Sequence, residues 1–392
     1  VGPFREALRQ GKSGIDWLTR FDRSLYRAQC AGEIHDFDAS QFFLAQKLRR
    51  VDRYAQMAMA ASELACRDAN LVFTPEQPQT DVGISFGTAL GGVAGAEDQH
   101  RRFISEGLKA IPAALALQVF GGSAHSNIAI AYGLRGYATT NSNSCASGTV
   151  AVGEAWRAIR DGYVDVMLAG AAEAPLSPLT FGAFDVIRSM SPQMDDPHLA
   201  CRPFDRNRDG FVMAEGAAVL ILEEAERAQK RGARIYAEVL GYALNNDAYN
   251  MVSSLPEGES AIAAMDSALV SANVKPEQIG YINAHASSTP MNDAHEAKAI
   301  QKFFGKHRPM VSGTKGYYGH SLGAAGAIEA LICSLTVAEG FIPATLGCRE
   351  PDVPEGFNLV WEKSRQQPVD YVLSNSFGFG GINATLVLGR AR

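Results

Sequence analysis

The strongest constraint on this chain is that it carries one unit twice. Cys145-Ala-Ser-Gly148 is answered by His320-Ser-Leu-Gly323, and Glu154-Ala155 by Glu329-Ala330 at the same spacing. Both stretches are rich in Ala, Gly and Ser, which lets helices approach other backbones closely and suits buried central helices. A second pair follows in the same order. Gly210-Phe-Val-Met-Ala-Glu-Gly-Ala-Ala-Val-Leu-Ile-Leu222 resembles Phe377-Gly-Phe-Gly-Gly-Ile-Asn-Ala-Thr-Leu-Val-Leu388, each a Gly-containing turn feeding an apolar strand. Two matches in one order favour duplication over chance. The stretch Lys230-Arg-Gly-Ala-Arg234 is the natural junction, so the halves are expected at 1–232 and 233–392.

Strands and helices alternate in both halves. Strands are expected at 81–86, 164–170 and 217–222, then at 235–242, 279–283, 309–312, 371–374 and 384–388. Helices are expected at 51–69, 259–272, 292–304 and 324–339. This alternation predicts a layered α/β architecture with largely buried sheets.

Composition narrows the function classes. With 392 residues, 46% hydrophobic and 20% charged, the chain reads as globular. A net charge of −6 with no long Lys/Arg run argues against nucleic acid as a partner. The six cysteines are scattered without Cys-x-x-Cys pairs, which indicates neither a metal site nor a disulfide framework. No apolar run of membrane-spanning length and no signal peptide is expected, and a cytoplasmic compartment is the simplest reading.

Three residues carry the chemistry. Cys145 is placed where a strand ends and a helix begins, where free backbone N–H groups and the helix dipole favour thiolate. His285, in Asn283-Ala-His285-Ala-Ser-Ser-Thr-Pro290, and His320, in Gly313-Thr-Lys315-Gly-Tyr-Tyr-Gly-His320, each follow a short apolar run and suit strand ends lining one cleft. A nucleophile and its partners usually come from distant parts of a chain and meet in the fold.

These motifs, with Arg202-Pro-Phe-Asp-Arg-Asn-Arg-Asp-Gly-Phe-Val-Met-Ala-Glu-Gly-Ala217 and Asn375-Ser-Phe-Gly-Phe-Gly-Gly-Ile-Asn383, resemble those of the elongating β-ketoacyl–acyl carrier protein synthases of the thiolase-like superfamily. The resemblance runs from about residue 10 to the end. It implies a duplicated five-layer α-β-α-β-α fold, a homodimer (a heterodimer being the alternative), and acyl carrier protein as partner. It also implies no cofactor beyond the phosphopantetheine that the carrier brings. The implied reaction is decarboxylative Claisen condensation of a Cys145-bound acyl group with malonyl carrier protein.

Within that reading His285 and His320 are neutral donors to the enolate-like oxygen. The backbone N–H groups of Cys145 and Phe379 form a second oxyanion hole, and Phe379 gates the site. Lys315, by residue type alone a solvated surface lysine, is expected to pair with Glu296 and tune the histidines. Ser287 and Thr289 would hydrogen-bond the phosphopantetheine arm, and Leu90 would line the acyl pocket. Arg49, Arg50, Lys109 and Arg188 would form a basic docking patch for an acidic carrier.

Some positions depart from the family pattern. Ala286-Ser287 stands where Gly-Thr is usual, adding a methyl expected to narrow the arm's tunnel. Asn-Ser-Asn-Ser precedes Cys145, and Tyr317-Tyr318 replaces smaller residues. The given sequence opens near the family's first helix, without the usual first strand and its Thr-Gly-x-Gly turn; either a short segment precedes it, or a sheet is expected to lose a central strand. Competing readings are a polyketide or specialised-lipid ketosynthase and a non-condensing partner subunit, the latter opposed by Cys145. A third is a Cys-His hydrolase or degradative thiolase; a thiolase would be expected to place a second cysteine near the C-terminal loop, where there is none, and a Cys-His-His set with Lys315 fits condensation better.

Overall fold

In the computed structural model, which describes residues 1–391, two mixed sheets form the frame. The first contains β1 (Val82–Gly87), β2 (Ala138–Asn141), β3 (Val166–Glu173) and β4 (Gly216–Glu223), in the order β2-β1-β3-β4. The second contains β5 (Glu238–Asn246), β6 (Ile279–Asn283), β7 (Met310–Ser312), β8 (Tyr371–Gly378) and β9 (Ile382–Gly389), in the order β7-β6-β8-β9-β5.

The two orders match strand for strand. In each, three parallel strands are followed by one antiparallel partner, β4 on β3 and β9 on β8. Only the second sheet has a fifth strand, β5, antiparallel to β9 and at the edge. The strand expected to be missing from the first half therefore corresponds to an edge strand beside β4, not a central one. Every residue of β1 and β3 is buried, because helices cover both faces of this sheet.

Seven helices complete the layers relevant to the site: α1 (Arg53–Asp68), α2 (Val93–Glu106), α3 (Ser147–Arg160), α4 (Pro178–Val186), α5 (Glu259–Ala272), α6 (Pro290–Phe304) and α7 (Ala325–Glu339). Tyr54, Ala55 and Met57 of α1 pack with Ile84, Phe86 and Leu168 outside the first sheet. Ala261 and Met265 of α5 and Ile300 of α6 pack with Ile282 and Leu373 outside the second. Between the sheets lie α3 and α7, whose Val150, Ala155, Ala330 and Cys333 share one core. The result is five layers, α-β-α-β-α.

The small residues of the repeat explain the middle layer. A Cβ on Gly148 would run into the backbone N of Ala327, and one on Gly326 into Thr149. The two helices thus touch backbone to backbone. One expectation is corrected: Leu322–Glu339 is long and apolar enough to cross a membrane by length and composition. Its position explains that composition, since 83% of the stretch is buried inside the fold.

Candidate active site

In each half a left-handed residue precedes the reactive side chain on the way into the central helix, Cys145 standing two residues before α3 and His320 five before α7. Ser144 (φ 49°) precedes Cys145 in a single 3₁₀ turn leading into α3, and Gly319 (φ 80°) precedes His320. Such backbone is costly for a non-glycine residue and persists only where its surroundings hold it. Here Ser147 Oγ accepts from Asn143 N–H at 2.8 Å and donates to the Ser144 carbonyl at 2.7 Å.

His320 is held by the Arg202–Ala217 motif, to which the sequence alone assigns no role. Its N–H donates to the Val212 carbonyl (2.7 Å), and its carbonyl accepts from Ala214 N–H (3.0 Å). The Phe211 ring meets the imidazole edge-on, with centroids 5.4 Å apart. His285, just beyond β6, lies 5.3 Å from His320 between ring centroids at 81°. Glu296 of α6 fixes this loop by accepting the N–H groups of His285 and Ala286, both at 2.8 Å.

Lys315 is wholly buried, so the solvated-lysine reading is excluded. Its partner is Glu329 of α7, not Glu296; the correction follows because Glu296 is engaged with two backbone donors. The Lys315 Nζ also donates to the His285 carbonyl and lies 3.5 Å from His285 Nδ1. An ammonium has no acceptor, so Nδ1 is the unprotonated nitrogen and Nε2–H is the donor. A lone glutamate in an apolar helix was the available signal for Glu329, since a carboxylate is rarely buried unpaired.

Burial holds both histidines neutral. It pushes His285 and His320 well below the ordinary histidine range, with the Lys315 charge acting in the same direction. Burial also pushes the carboxyls of Glu296 and Glu329 up, to about 8 and about 7.

Cys145 behaves differently from the expectation of a resting thiolate. Its side chain packs with Ala89 and Leu90 against Phe181 and Leu322. Burial pushes the thiol up to about 12, outweighing the opposing Lys315 charge and a Phe379 N–H hydrogen bond. Packed this way, the half-buried sulfur favours the thiol over the thiolate.

Phe379 sits in the turn between β8 and β9, where Gly380 (φ 90°) and Gly381 (φ 74°) supply backbone few other residues adopt. Its ring stacks on Phe184 at 6.2 Å. A Cβ on the preceding Gly378 would lie 3.3 Å from Cys145 N, which shows how closely the two turns approach.

The remaining candidates are placed as follows. Leu90 shares the apolar cluster of Cys145. Ser287 Oγ and Thr289 Oγ1 are hydrogen-bonded to each other at 2.9 Å beside His285. The Ala286 methyl is wholly buried and faces Gly313. Arg49, Arg50, Lys109 and Arg188 are exposed, and none is in an ion pair among the described residues. Their segments border α2: Asp52 touches Gly95, the 3₁₀ turn Leu108–Ala110 packs on α2, and Leu179 N–H of α4 donates to Glu97 at 3.0 Å.

Residues 1–228 match the N-terminal domain of β-ketoacyl synthases, and residues 236–349 match their C-terminal domain. The chain belongs to the β-ketoacyl–acyl carrier protein synthase family of condensing acyltransferases. It is 40% identical to 3-oxoacyl-[acyl-carrier-protein] synthase 2 of Synechocystis sp., over 97% of this chain and 92% of that protein. It is 38% identical to the protein of that name from Coxiella burnetii, over 100% of this chain and 94% of that one. Among solved structures it resembles a β-ketoacyl synthase from Burkholderia phymatum (32% identity, TM-score 0.93, 100% and 95% of the two chains). It also resembles a chain in the complex of a type II PKS acyl-carrier protein with its ketosynthase bound to the hexaketide (32% identity, TM-score 0.92, 100% and 95%).

Proposed function

We propose that this synthase condenses a Cys145-bound acyl group with malonyl carrier protein in fatty acid elongation. The observation that carries the reading is the pair of neutral imidazoles, with Nε2–H of His285 defined by Lys315, beside a cysteine whose sulfur meets the Phe379 N–H.

In the first half-reaction the Cys145 sulfur attacks the acyl thioester of the carrier. The N–H groups of Cys145 and Phe379 stabilise the oxyanion, and the thiol proton leaves with the pantetheine thiol. In the second, malonyl carrier protein loses CO2, and its electron pair becomes an enolate whose oxygen is held by His285 and His320. That carbon attacks the acyl-Cys145 carbonyl, and the Cys145 sulfur departs as thiolate and takes up one proton from solvent. Neutral imidazoles suit this step, because an N–H donor stabilises the enolate oxygen without transferring a full proton to it.

Ser287 and Thr289 would hold the phosphopantetheine arm, and Phe379 would swing aside as the acyl chain enters. Arg49, Arg50, Lys109 and Arg188, with the exposed Val186 and Ile187 beside them, suit an acidic carrier. The reading also includes halves divided near residue 232, a cytoplasmic location and a homodimer. The unpaired edge of β2 and the exposed Ile130 on the helix packed against it support the dimer. A second reading, a polyketide ketosynthase, draws on the likeness to the type II PKS complex.

Mass spectrometry of the protein with acyl carrier thioesters of several lengths, then malonyl carrier protein, tests the proposal. An acyl adduct on Cys145, discharged as a β-ketoacyl product two carbons longer, is expected. His320→Ala should keep the adduct and lose the discharge. No adduct with any acyl length would sink the reading, and adducts only from oxygenated chains would favour the second.

A further inference from the structure

We propose that Glu173 is a positioning residue of the acyl-transfer site, locking the Thr88–Leu90 wall beside Cys145 to the turn that carries His320. The proposal rests on the condensing reading above.

Glu173 ends β3, is wholly buried, and has no cationic partner within ion-pair distance among the described residues. Four donors converge on its carboxylate: Thr88 Oγ1 (3.0 Å), Ala89 N–H (2.5 Å), Leu90 N–H (3.1 Å) and Gly323 N–H (3.1 Å). Three belong to the loop after β1. The fourth comes from the other half, three residues beyond His320. Leu90 and Ala89 pack in the cluster of Cys145, together with Leu322. One carboxylate thus spans the seam across which nucleophile and imidazole face each other.

The duplication supports this assignment independently. Strand pairing sets Gly87 opposite Ala171 in the first sheet and Asn283 opposite Ser374 in the second. Ala89-Leu90 then occupies the place of His285-Ala286. In the second half those two N–H groups go to a buried carboxylate, Glu296; in the first they go to Glu173. The same register sets Glu173 level with Ser376, whose hydroxyl meets Thr149 Oγ1 at 2.7 Å. Each half therefore grips the head of the other half's central helix from the end of the equivalent strand. Four converging donors also compensate the cost of a buried carboxylate, which burial pushes up to about 7.

The test is Glu173→Gln, with Thr88→Val as the milder second variant. An amide offers one acceptor oxygen to four donors, so the Leu90 wall and the His320 turn lose their common anchor. Single-turnover acylation of Cys145 is measured with acetyl and decanoyl carrier thioesters, beside thermal denaturation.

For Glu173→Gln the decanoyl acylation rate should fall ~100-fold, as displacements near 1 Å cost in well-oriented sites. The acetyl rate should fall clearly less, because acetyl does not reach the wall, and half-saturation by carrier should not move. Thr88→Val should show the same pattern at roughly tenfold, one hydrogen bond being lost, and decides the matter if Glu173→Gln does not fold. Decanoyl acylation at the wild-type rate, or equal losses for acetyl and decanoyl that follow the melting temperature, would overturn the proposal. These losses are read against an active wild type, so they bear on Glu173 and not on the condensing reading.

Discussion

Glu154 and Glu329 are matched in the sequence repeat, each nine residues after Cys145 or His320, yet they have opposite fates, one being the eighth residue of α3 and the other the fifth of α7. Glu154 pairs with Arg157 at 2.9 Å near the surface, with side chains 31% and 41% exposed, and the Arg157 guanidinium lies over the Tyr242 ring. Glu329 is wholly buried against Lys315. Duplication supplied two helix heads facing one seam. The first half then kept the nucleophile and left its glutamate in water. The second took in a charged pair and used it to hold an imidazole in one tautomer.

The largest break in this comparison should come from the two glutamates themselves. Glu329→Gln removes the counter-charge of a buried ammonium, and breaking such a pair costs about 3–5 kcal/mol. Glu154→Gln removes a surface pair worth about 0–1 kcal/mol. Urea denaturation of both variants measures the contrast. Equal losses would mean that the buried pair carries no special weight.

A smaller effect is expected where the helices touch. Gly148→Ala drives a methyl into the Ala327 backbone, and Gly326→Ala drives one into Thr149. Overpacking of this kind costs about 1–3 kcal/mol. Since each glycine meets the other helix, the double variant should cost less than the sum of the singles: a seam forced apart once accommodates the second methyl. Additive losses would argue that the contacts are independent.

The duplication was legible because apolar patterning and small-residue spacing repeat in the chain. Strand 279–283 and helix 259–272 coincide with β6 and α5 for the same reason. What escaped was pairing through space. Lys315 was expected on Glu296, and only the fold shows that Glu296 is engaged by backbone N–H groups while Lys315 meets Glu329. Glu173 carried no signal, because a glutamate ending an apolar strand resembles the start of a solvated turn. The strand expected at 235–242 lies instead at 238–246, since its register is set by pairing with β9 rather than by its own residues. The thiolate expectation for Cys145 rested on the helix head alone and left out the apolar neighbours of the half-buried sulfur, which push the thiol's pKa up.

Smaller again is the effect expected at Ala286, whose counterpart by register is Leu90. Leu90 turns toward Cys145; Ala286 turns inward at φ 42°. For Ala286→Gly, relief of left-handed strain of about 1–2 kcal/mol is offset by a buried methyl of about 0.8 kcal/mol and glycine's backbone entropy of about 0.5–1 kcal/mol. Stability should change by less than about 1 kcal/mol, and KM for carrier thioesters should be unchanged. A clear drop in KM would show that the methyl does line the arm's path.

The smallest effect is a predicted absence of one, and it separates the two halves by titration. Burial raises the thiol of the first half and lowers both imidazoles of the second, so neither group changes charge between pH 8 and 6. An ordinary imidazole titrating near 6.5 would be about three-quarters protonated at pH 6. Saturated malonyl carrier decarboxylation should therefore stay flat over that range. Stability has a definite sign for the same groups. The unfolded chain binds protons at these histidines below about pH 6.5 while the fold refuses them, so their contribution is lost as pH falls. Lys315→Met removes the charge that acts with burial to hold both imidazoles neutral, and should move the fall in decarboxylation toward higher pH. A wild-type rate that halves near pH 6.5, with no shift in the variant, would mean that the histidines are solvated and that the Lys315–Glu329 pair does not govern their charge.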